Sequence, residues 1–405
     1  MENFRKLGLI DPIVRVIKEQ NFEVPSEIQE SAIPLIVAGK DVIAGSATGS
    51  GKTLAFAAGI IKDVETGKGI QALVMTPTRE LAEQVAQNIK KFSKYKPLRV
   101  TSIYGGVSIN PQINELRRTD VVVGTPGRVL DHMHRQTLNL QHVKILVIDE
   151  ADRMFDMGFI EDVEKIIKFC PAKRQTLLFS ATISPEVSRL SRRHMREPVE
   201  VSAESYVDPS KLDQVYYDVP DNMKFSLLVH LLKKEHPGLV MVFCNTQHIT
   251  DFVAKNLRKQ NIEALEIHGG FSQAKRSRTM EDFHAKNFQV LVCTEVAARG
   301  LDIKGVSHVY NYDIPKEAKQ YIHRVGRTAR AGADGKAINI LSSRDHDNFR
   351  RVLREFNDIT IKKEPTPQME RVDIVMERHG DSRGFGDQRG HGQRPRWGQQ
   401  RSRRY

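Results

Sequence analysis

A glycine-rich stretch near the N-terminus has the residue types and spacing of a phosphate-binding loop. Residues 46–53 read Ser-Ala-Thr-Gly-Ser-Gly-Lys-Thr, between an apolar run and an amphipathic segment. In such a strand–loop–helix setting, glycines let backbone N–H groups approach phosphate oxygens at a positively polarised helix N-terminus. Lys52 can reach the β- and γ-phosphates, and the Thr53 hydroxyl can ligate Mg²⁺. Ser46 occupies the first glycine position of the usual pattern, and a glycine-rich turn without ligand is the alternative interpretation.

A pair of carboxylates about 100 residues downstream could complete such a site. The run Lys-Ile-Leu-Val-Ile (144–148) predicts a buried strand that ends at Asp149 and Glu150. Ligands of open α/β sheets bind at the carboxyl ends of the strands. Asp149 would therefore hold Mg²⁺ through water, and Glu150 would orient and deprotonate an attacking water. An acidic turn is the alternative for this segment alone.

Two arginines in the second half of the chain could act on the same phosphates. Residues 323–330 read His-Arg-Val-Gly-Arg-Thr-Ala-Arg, so Arg327 and Arg330 are spaced to point the same way from a helix. Positive charge on the γ-phosphate favours hydrolysis in the transition state. Because Lys52 lies in the first half, such arginines would act only when two domains close. A solvated basic helix is the alternative.

Short apolar runs alternate with amphipathic segments along most of the chain, which predicts doubly wound α/β domains with parallel sheets. We expect strands at 42–44, 71–75, 99–103, 120–124, 144–148 and 176–179, and then at 238–244, 262–267, 288–293, 308–312 and 337–341. The pattern lapses between these sets and ends after about residue 366. The predicted organisation is a first domain (1–201), a linker (202–212), a second domain (213–365) and a disordered tail (366–405).

The composition favours an intracellular protein with an anionic partner. The net charge of +12 suggests nucleic acid, and residues 379–405 hold seven arginines against two aspartates. The three cysteines are an odd number without metal-site spacing, which argues against a disulfide framework. No apolar run approaches the roughly 18 residues of a membrane span. We expect a cytoplasmic protein without a membrane partner, acting as a monomer.

Taken in order, these motifs resemble those of the DEAD-box RNA helicases, a family named after the tetrapeptide found here at Asp149–Asp152, Asp-Glu-Ala-Asp. The resemblance covers roughly residues 1–365. It implies two RecA-like domains joined by a short linker, RNA-dependent ATPase activity, and ATP with Mg²⁺ as cofactors. It also implies RNA, single-stranded or in short duplexes, as a partner bound with little sequence preference.

The resemblance assigns a role to each motif. Catalysis falls to Lys52, Asp149, Glu150, Arg327 and Arg330, and metal binding to Thr53 and Asp149. Nucleotide binding falls to Phe22, Gln29, Ser46, Ala47, Thr48, Gly49, Ser50, Gly51, Lys52, Thr53 and Asp302. RNA binding falls to Pro77, Thr78, Arg79, Gly106, Thr125, Gly127, Arg128, Arg276 and Thr294. Coupling of hydrolysis to domain movement falls to Ser180, Thr182, Asp152 and His323. An amide can donate to and accept from adenine at once, which suits Gln29, and Phe22 would stack on the ring unless it only packs in the core.

Four residues depart from the family pattern. Asn21 and Ala329 stand where glycine is usual, Ser46 replaces a small alanine or glycine, and Glu295 replaces an aspartate. None of these changes removes a catalytic group.

The function that follows is an ATP-dependent RNA helicase that unwinds or remodels RNA duplexes and RNA–protein complexes. A nucleotide-gated RNA clamp with little unwinding is the alternative, and a DNA helicase fits the motifs less well. A phosphate-loop kinase or GTPase would explain only residues 40–150. The Arg- and Gly-rich tail could bind RNA through charge and stacking, contact protein partners, or only keep the chain soluble.

Overall fold

The computed structural model describes residues 2–45, 50–202, 211–235, 238–285, 288–298, 303, 305–329, 334–356 and 359–375. Residues 1–372 form one compact unit that contains two separate β-sheets, and residues 373–405 form a second unit. We call residues 2–202 the first lobe and residues 211–372 the second lobe. In the described part of the chain, no helix is both long and apolar enough to cross a membrane.

The first lobe is a seven-stranded parallel sheet with helices around it. Its strands are β1 (Val42–Gly45), β2 (Ala72–Met75), β3 (Val100–Ile103), β4 (Val121–Gly124), β5 (Ile145–Ile148), β6 (Gln175–Ser180) and β7 (Val199–Ser202). Its helices are α1 (Glu2–Lys6), α2 (Asp11–Glu19), α3 (Glu27–Val37), α4 (Lys52–Asp63), α5 (Arg79–Phe92), α6 (Ile109–Leu116), α7 (Pro126–His134), α8 (Ala151–Asp156), α9 (Ile160–Phe169) and α10 (Pro185–His194). The strand order is β3-β4-β2-β5-β6-β1-β7.

The second lobe repeats this plan. Its strands are β8 (Leu212–Asp218), β9 (Leu239–Cys244), β10 (Ala264–Ile267), β11 (Val290–Thr294), β12 (Val306–Asn311), β13 (Gly335–Leu341) and β14 (Lys362–Lys363). Its helices are α11 (Lys224–Glu235), α12 (Gln247–Lys259), α13 (Gln273–His284), α14 (Glu295–Ala298), α15 (Ala318–Val325) and α16 (His346–Glu355), with a 3₁₀ turn at Asp221–Met223. The strand order is β10-β11-β9-β12-β13-β8-β14.

The central strands are apolar on both faces because helices cover both sides of each sheet. Every residue of β2, β4 and β5 is buried, as expected of parallel strands between two helical layers. The predicted α/β class with two parallel sheets is therefore confirmed. Parallel pairing also brings the carboxyl ends of the strands to one edge of each sheet, where the loops with the motifs begin.

Two strands lie where the sequence analysis placed the linker and its flanks. β7 extends to Ser202, and β8 begins at Leu212, while residues 203–210 lie outside the described part. In both strands, more buried residues alternate with less buried ones, and neither strand is a continuous apolar run. The pattern of a buried parallel strand is therefore absent, and the sequence does not predict these two strands.

The segment after residue 365 also contacts the second lobe. The Thr366 hydroxyl donates to the Asp218 carbonyl at 2.9 Å, and the Val372 amide donates to the Ser226 hydroxyl at 3.0 Å. The rest of the predicted tail, residues 376–405, lies outside the described residues.

Candidate active site

A buried lysine–carboxylate cluster lies at the carboxyl edge of the first sheet. Lys52 opens α4, and its Nζ lies 2.8 Å from Asp149 Oδ1 and 3.8 Å from Glu150 Oε1. All three side chains are at most 5% exposed. Burial alone would lower the pKa of Lys52, but the charges of Asp149 and Glu150 outweigh it and raise that pKa. A cationic Lys52 is therefore held where a phosphate anion could take the place of the carboxylates.

Glu150 is held in an unusual backbone conformation. β5 ends at Ile148, and Glu150 precedes α8 with φ 55° and ψ 51°, in the left-handed region that non-glycine residues seldom adopt. Its carboxylate accepts a hydrogen bond from Arg153 Nη1 at 2.7 Å, one helical turn later. Strain of this kind persists where surrounding contacts fix the residue, and it is concentrated at functional sites.

The adenine candidate Gln29 is tied to the phosphate loop. Its Nε2 donates to the Gly51 carbonyl at 3.0 Å, while its Oε1 accepts from the Ser26 amide at 3.0 Å. The Ser26 hydroxyl donates to the Ser50 carbonyl at 2.6 Å. Gly51 has φ 89°, and a Cβ there would lie 2.2 Å from Gln29 Nε2, so only glycine fits. Phe22 is 36% exposed, which leaves its ring accessible to a ligand.

The coupling candidates of the first lobe form one hydrogen-bonded group. Asp152 Oδ2 accepts from the amide of Thr182 at 3.0 Å and from its hydroxyl at 3.1 Å. The Asp152 amide donates to the Ser180 hydroxyl at 3.1 Å. The end of β6 is thereby fastened to the start of α8, directly after the two catalytic candidates.

Glu295 forms a buried ion pair in the second lobe. Arg324 Nε donates to Glu295 Oε2 at 2.9 Å, and the remaining donors of Arg324 bond to Asn245, Asn311 and the Asp313 carbonyl. The longer arm of Glu295, compared with aspartate, therefore reaches a largely buried contact with Arg324. The structure places it in this network, buried beside Arg324.

Arg327 does not lie on a helix, contrary to the sequence-based expectation for Arg327 and Arg330, and Arg330 lies outside the described residues. α15 ends at Val325, and Gly326 follows it, so Arg327 lies in the turn beyond the helix, where it is 2% exposed. Glycine is a poor helix former, which explains the early end. Ala329 adopts φ 53°, a conformation for which glycine is better suited. Asn21 has φ 54°, which asparagine tolerates well.

Charged groups of the two lobes lie near one another beside Glu150. Desolvation lowers the pKa of Arg153, but the charges of Glu150, Asp152 and, from the second lobe, Glu295 outweigh it and raise that pKa. His323 lies in the same group: burial, then the charge of Arg153, lowers its pKa to about 4. Glu150 is thus bonded to Arg153, whose charge interacts electrostatically with Glu295 of the second lobe.

His323 predicts acid sensitivity of the folded protein. Its pKa falls from an ordinary 6.5 to about 4, so between these values the unfolded chain binds more protons than the folded one. The free energy of unfolding should therefore decrease as the pH falls through this window, by about 2 kcal/mol between pH 7 and 5. Denaturant titrations at both pH values should show this decrease in the free energy of unfolding for the parent and little of it for His323→Asn. His134→Asn, at an exposed position, should show the same decrease as the parent. Equal losses in all three chains would contradict the assignment.

Most of the RNA candidates follow the carboxyl ends of β2, β4 and β11; Gly106 follows β3, and Arg276 lies in α13. Pro77 and Thr78 lead into α5, Thr125 and Gly127 begin α7, and Thr294 ends β11. In each sheet, these candidates lie at the carboxyl edge. The space beside Gly127 is open, because nothing lies within 4 Å of a Cβ built on that residue.

The arginines among the RNA candidates are positioned by neighbours. A Cβ on Gly106 would lie 2.0 Å from Arg79 Nη1, so that glycine allows the guanidinium to pack on the backbone. Arg128 donates to Gln112 Oε1 and to the Val107 carbonyl, each at 3.0 Å. Arg276 of the second lobe forms an ion pair with Glu80 of the first lobe at 2.9 Å.

Some candidates lie outside the described residues, namely Ser46, Ala47, Thr48, Gly49, Asp302 and Arg330. Conversely, the sequence motifs do not indicate Arg153, Arg324 or Glu80 as partners of the candidates. The three-residue spacing of Glu150 and Arg153 would have indicated the first of these, because such residues meet on a helix. The partners of Arg324 and Glu80 are distant in sequence and carry no such signal.

This arrangement, a buried lysine–carboxylate cluster on one parallel α/β sheet beside a second sheet of the same kind, is typical of helicases with two RecA-like domains. Family models agree: residues 26–190 match the DEAD/DEAH box helicase model, and residues 223–332 match the helicase conserved C-terminal domain.

The chain is also similar in sequence and structure to individual known proteins. It is 44% identical over 358 residues to the DEAD-box ATP-dependent RNA helicase CshA of Geobacillus kaustophilus, covering 87% of this chain and 76% of that protein. It is 44% identical over 348 residues to the ATP-dependent RNA helicase CshA of Limosilactobacillus reuteri, covering 85% and 70%. The structure of S. cerevisiae Dbp5 bound to RNA and ADP BeF3 is similar, with a TM-score of 0.82, 32% identity, and coverage of 90% and 96%. The chain belongs to the DEAD-box ATP-dependent RNA helicases, which confirms the resemblance.

Proposed function

We propose that this protein uses ATP hydrolysis to separate short RNA duplexes locally and to remodel RNA–protein complexes. The observation that carries the proposal is the connection between the nucleotide site and the second lobe. Lys52 contacts Asp149 and Glu150, Glu150 bonds to Arg153, and Arg153 lies near Glu295. A change at the phosphates can therefore reach the second lobe through charged side chains.

The nucleotide would be bound and cleaved by residues of both lobes. Lys52 would bind the β- and γ-phosphates, and Glu150 would accept a proton from the attacking water. Arg327 and Arg330 would stabilise the negative charge that develops on the γ-phosphate. The Thr53 hydroxyl and the Asp149 carboxylate offer the hard oxygen ligands that suit Mg²⁺, and the bound ion would neutralise phosphate charge. Phe22 and Gln29 would select adenine.

The RNA would lie along the edge formed by the candidates after β2, β4 and β11. Arg79, Arg128 and Arg276 would contact phosphates, and backbone N–H groups at the turns would add to them. Such contacts carry no sequence information, so binding should have little sequence preference and strong salt dependence. RNA held this way in a bent form could not remain in an A-form duplex.

Hydrolysis would be coupled to the lobes by Asp152, Ser180 and Thr182 on one side and His323 on the other. These residues adjoin Glu150 and its partner Arg153. We also propose domain limits of 1–201 and 213–365, a monomer in the cytoplasm, and a tail that binds RNA or protein partners through its arginines.

Strand displacement tests the proposal. With a short RNA duplex, the protein should release a labelled strand in the presence of ATP, and RNA should stimulate its ATPase activity. Stimulated ATPase activity without displacement would instead identify a nucleotide-gated clamp. Equal stimulation by single-stranded DNA would favour a DNA enzyme, and no nucleotide hydrolysis at all would overturn the proposal.

A further inference from the structure

A basic cavity lies at the opposite edge of the first sheet, away from the candidate active site. Its volume is about 440 Å³. Five cationic residues line it: Lys40, Lys144, Lys173, Arg174 and Arg196. They precede β1, β5, β6 and β7, which are neighbours in the sheet. Parallel pairing therefore gathers the amino-terminal ends of four strands, with their cations, around one space.

The buried carboxylate of this cavity is already occupied by backbone donors. Asp41 is 6% exposed, its Oδ1 accepts from the Thr176 amide at 2.8 Å, and its Oδ2 accepts from the Arg196 amide at 2.7 Å. These bonds fix the starts of β6 and β7 against β1. The site is thus a braced part of the fold, and Asp41 is turned toward the backbone.

Arg174 is held in place by neutral groups. Its Nε donates to the Thr176 hydroxyl at 3.2 Å, Nη1 to the Pro171 carbonyl at 2.8 Å, and Nη2 to the His194 carbonyl at 3.3 Å. A guanidinium has five N–H donors, so two remain for another partner. Desolvation lowers the pKa of Arg174. The charges of Cys170 and Asp41 oppose this shift, whereas the charge of Arg196 adds to it.

The positive charge around the cavity is not balanced by the protein. The lining contains two carboxylates, Asp41 and Glu197, against the five cations. Lys144 lies 3.5 Å from Glu65, but among the described residues none of the other four cations has a carboxylate oxygen within 4.0 Å. A concave surface lined by one sign of charge concentrates counter-ions, and like charges held together are stabilised when an anion binds.

We propose that this cavity binds a diphosphate group, as found in inorganic pyrophosphate or a nucleoside diphosphate. Two linked phosphates present several anionic oxygens that can meet cations arriving from different strands, and arginine forks match phosphate geometry. Asp41 and Gln175 are buried at the base of the cavity, Arg174 is half-buried, and Lys40, Lys144 and Lys173 are exposed. A volume of about 440 Å³ with cations converging from four strand ends matches the size and charge of a diphosphate, whereas an RNA strand would need cations that continue beyond the cavity.

Equilibrium dialysis with labelled pyrophosphate tests this inference on the full chain. The variant Lys173→Glu with Arg196→Glu reverses two exposed rim charges, and Lys90→Glu with Lys91→Glu makes the same change at exposed positions of α5 outside the lining. The parent and the α5 variant should bind the same number of equivalents, and the cavity variant one fewer. All three chains should keep RNA-stimulated ATPase activity, which shows that they are folded. The milder pair Lys173→Gln with Arg196→Gln should weaken binding by an intermediate factor.

Repeating the dialysis with ADP separates the two ligand sources. Loss of one ADP equivalent in the cavity variant identifies a nucleoside diphosphate site, and loss with pyrophosphate alone identifies an inorganic one. Equal stoichiometry in all chains with both probes overturns the proposal. Unchanged stoichiometry with weaker RNA binding by the cavity variant also overturns it, since the cations would then belong to an RNA surface.

Discussion

Replacing Glu150 by Gln is expected to reduce the turnover of ATP by about 10²–10⁴-fold while ATP still binds. The amide keeps the size of the side chain but cannot take a proton from water. Lys52 still has Asp149 at 2.8 Å, so the lysine proposed to bind phosphate remains positioned. Single-turnover hydrolysis and a separate measurement of ATP affinity should show a large loss in rate with little change in binding.

A structural role of Glu150 would give a different result. Its bond to Arg153 is buried, so a variant that only weakened the fold would lose ATP affinity and thermal stability together. The matched change Glu161→Gln, at an exposed carboxylate in the first turn of α9, should alter neither quantity. Hydrolysis by Glu150→Gln at the parent rate would show that another group is the base.

The sheets were predictable because their central strands carry an unambiguous signal. β5 is four consecutive buried apolar residues, and the chemistry follows directly at Asp149 and Glu150. The edge strand β7 is different: Val199 and Val201 alternate with exposed Glu200 and Ser202. Four alternating residues are also compatible with an irregular segment, so its pairing with β1 is decided by the folded sheet.

The candidate site was predictable as a set of motifs but not as a set of contacts. Phosphate chemistry alone points to Lys52 and Asp149. It does not reveal that Glu295 pairs with Arg324 or that Arg153 lies near Glu295 of the second lobe, because these residues are remote from each other in sequence. The backbone conformation of these residues was equally unpredictable from the sequence. Glu150 and Ala329 adopt a positive φ, which neither residue type favours, so packing determines it.

Arg327→Ala is expected to lower the turnover of RNA-stimulated ATP hydrolysis by on the order of 10³-fold or more. In the proposed role, Arg327 stabilises charge that develops only in the transition state, so ATP affinity should change far less than the rate. The exposed Arg350→Ala, in the same lobe, removes the same side chain from a surface ion pair with Asp347 and should leave the rate unchanged.

Arg327 is 2% exposed, so its removal could also disturb packing, and a ligand that resembles the transition state separates the two effects. ADP with aluminium fluoride mimics the phosphoryl group in transfer, whereas a non-hydrolysable ATP analogue mimics the ground state. In the presence of RNA, Arg327→Ala should lose most of its affinity for ADP with aluminium fluoride but bind the ATP analogue normally. Parallel losses for both ligands would assign Arg327 to the packing of the second lobe, because a residue that stabilises the transition state must discriminate between them.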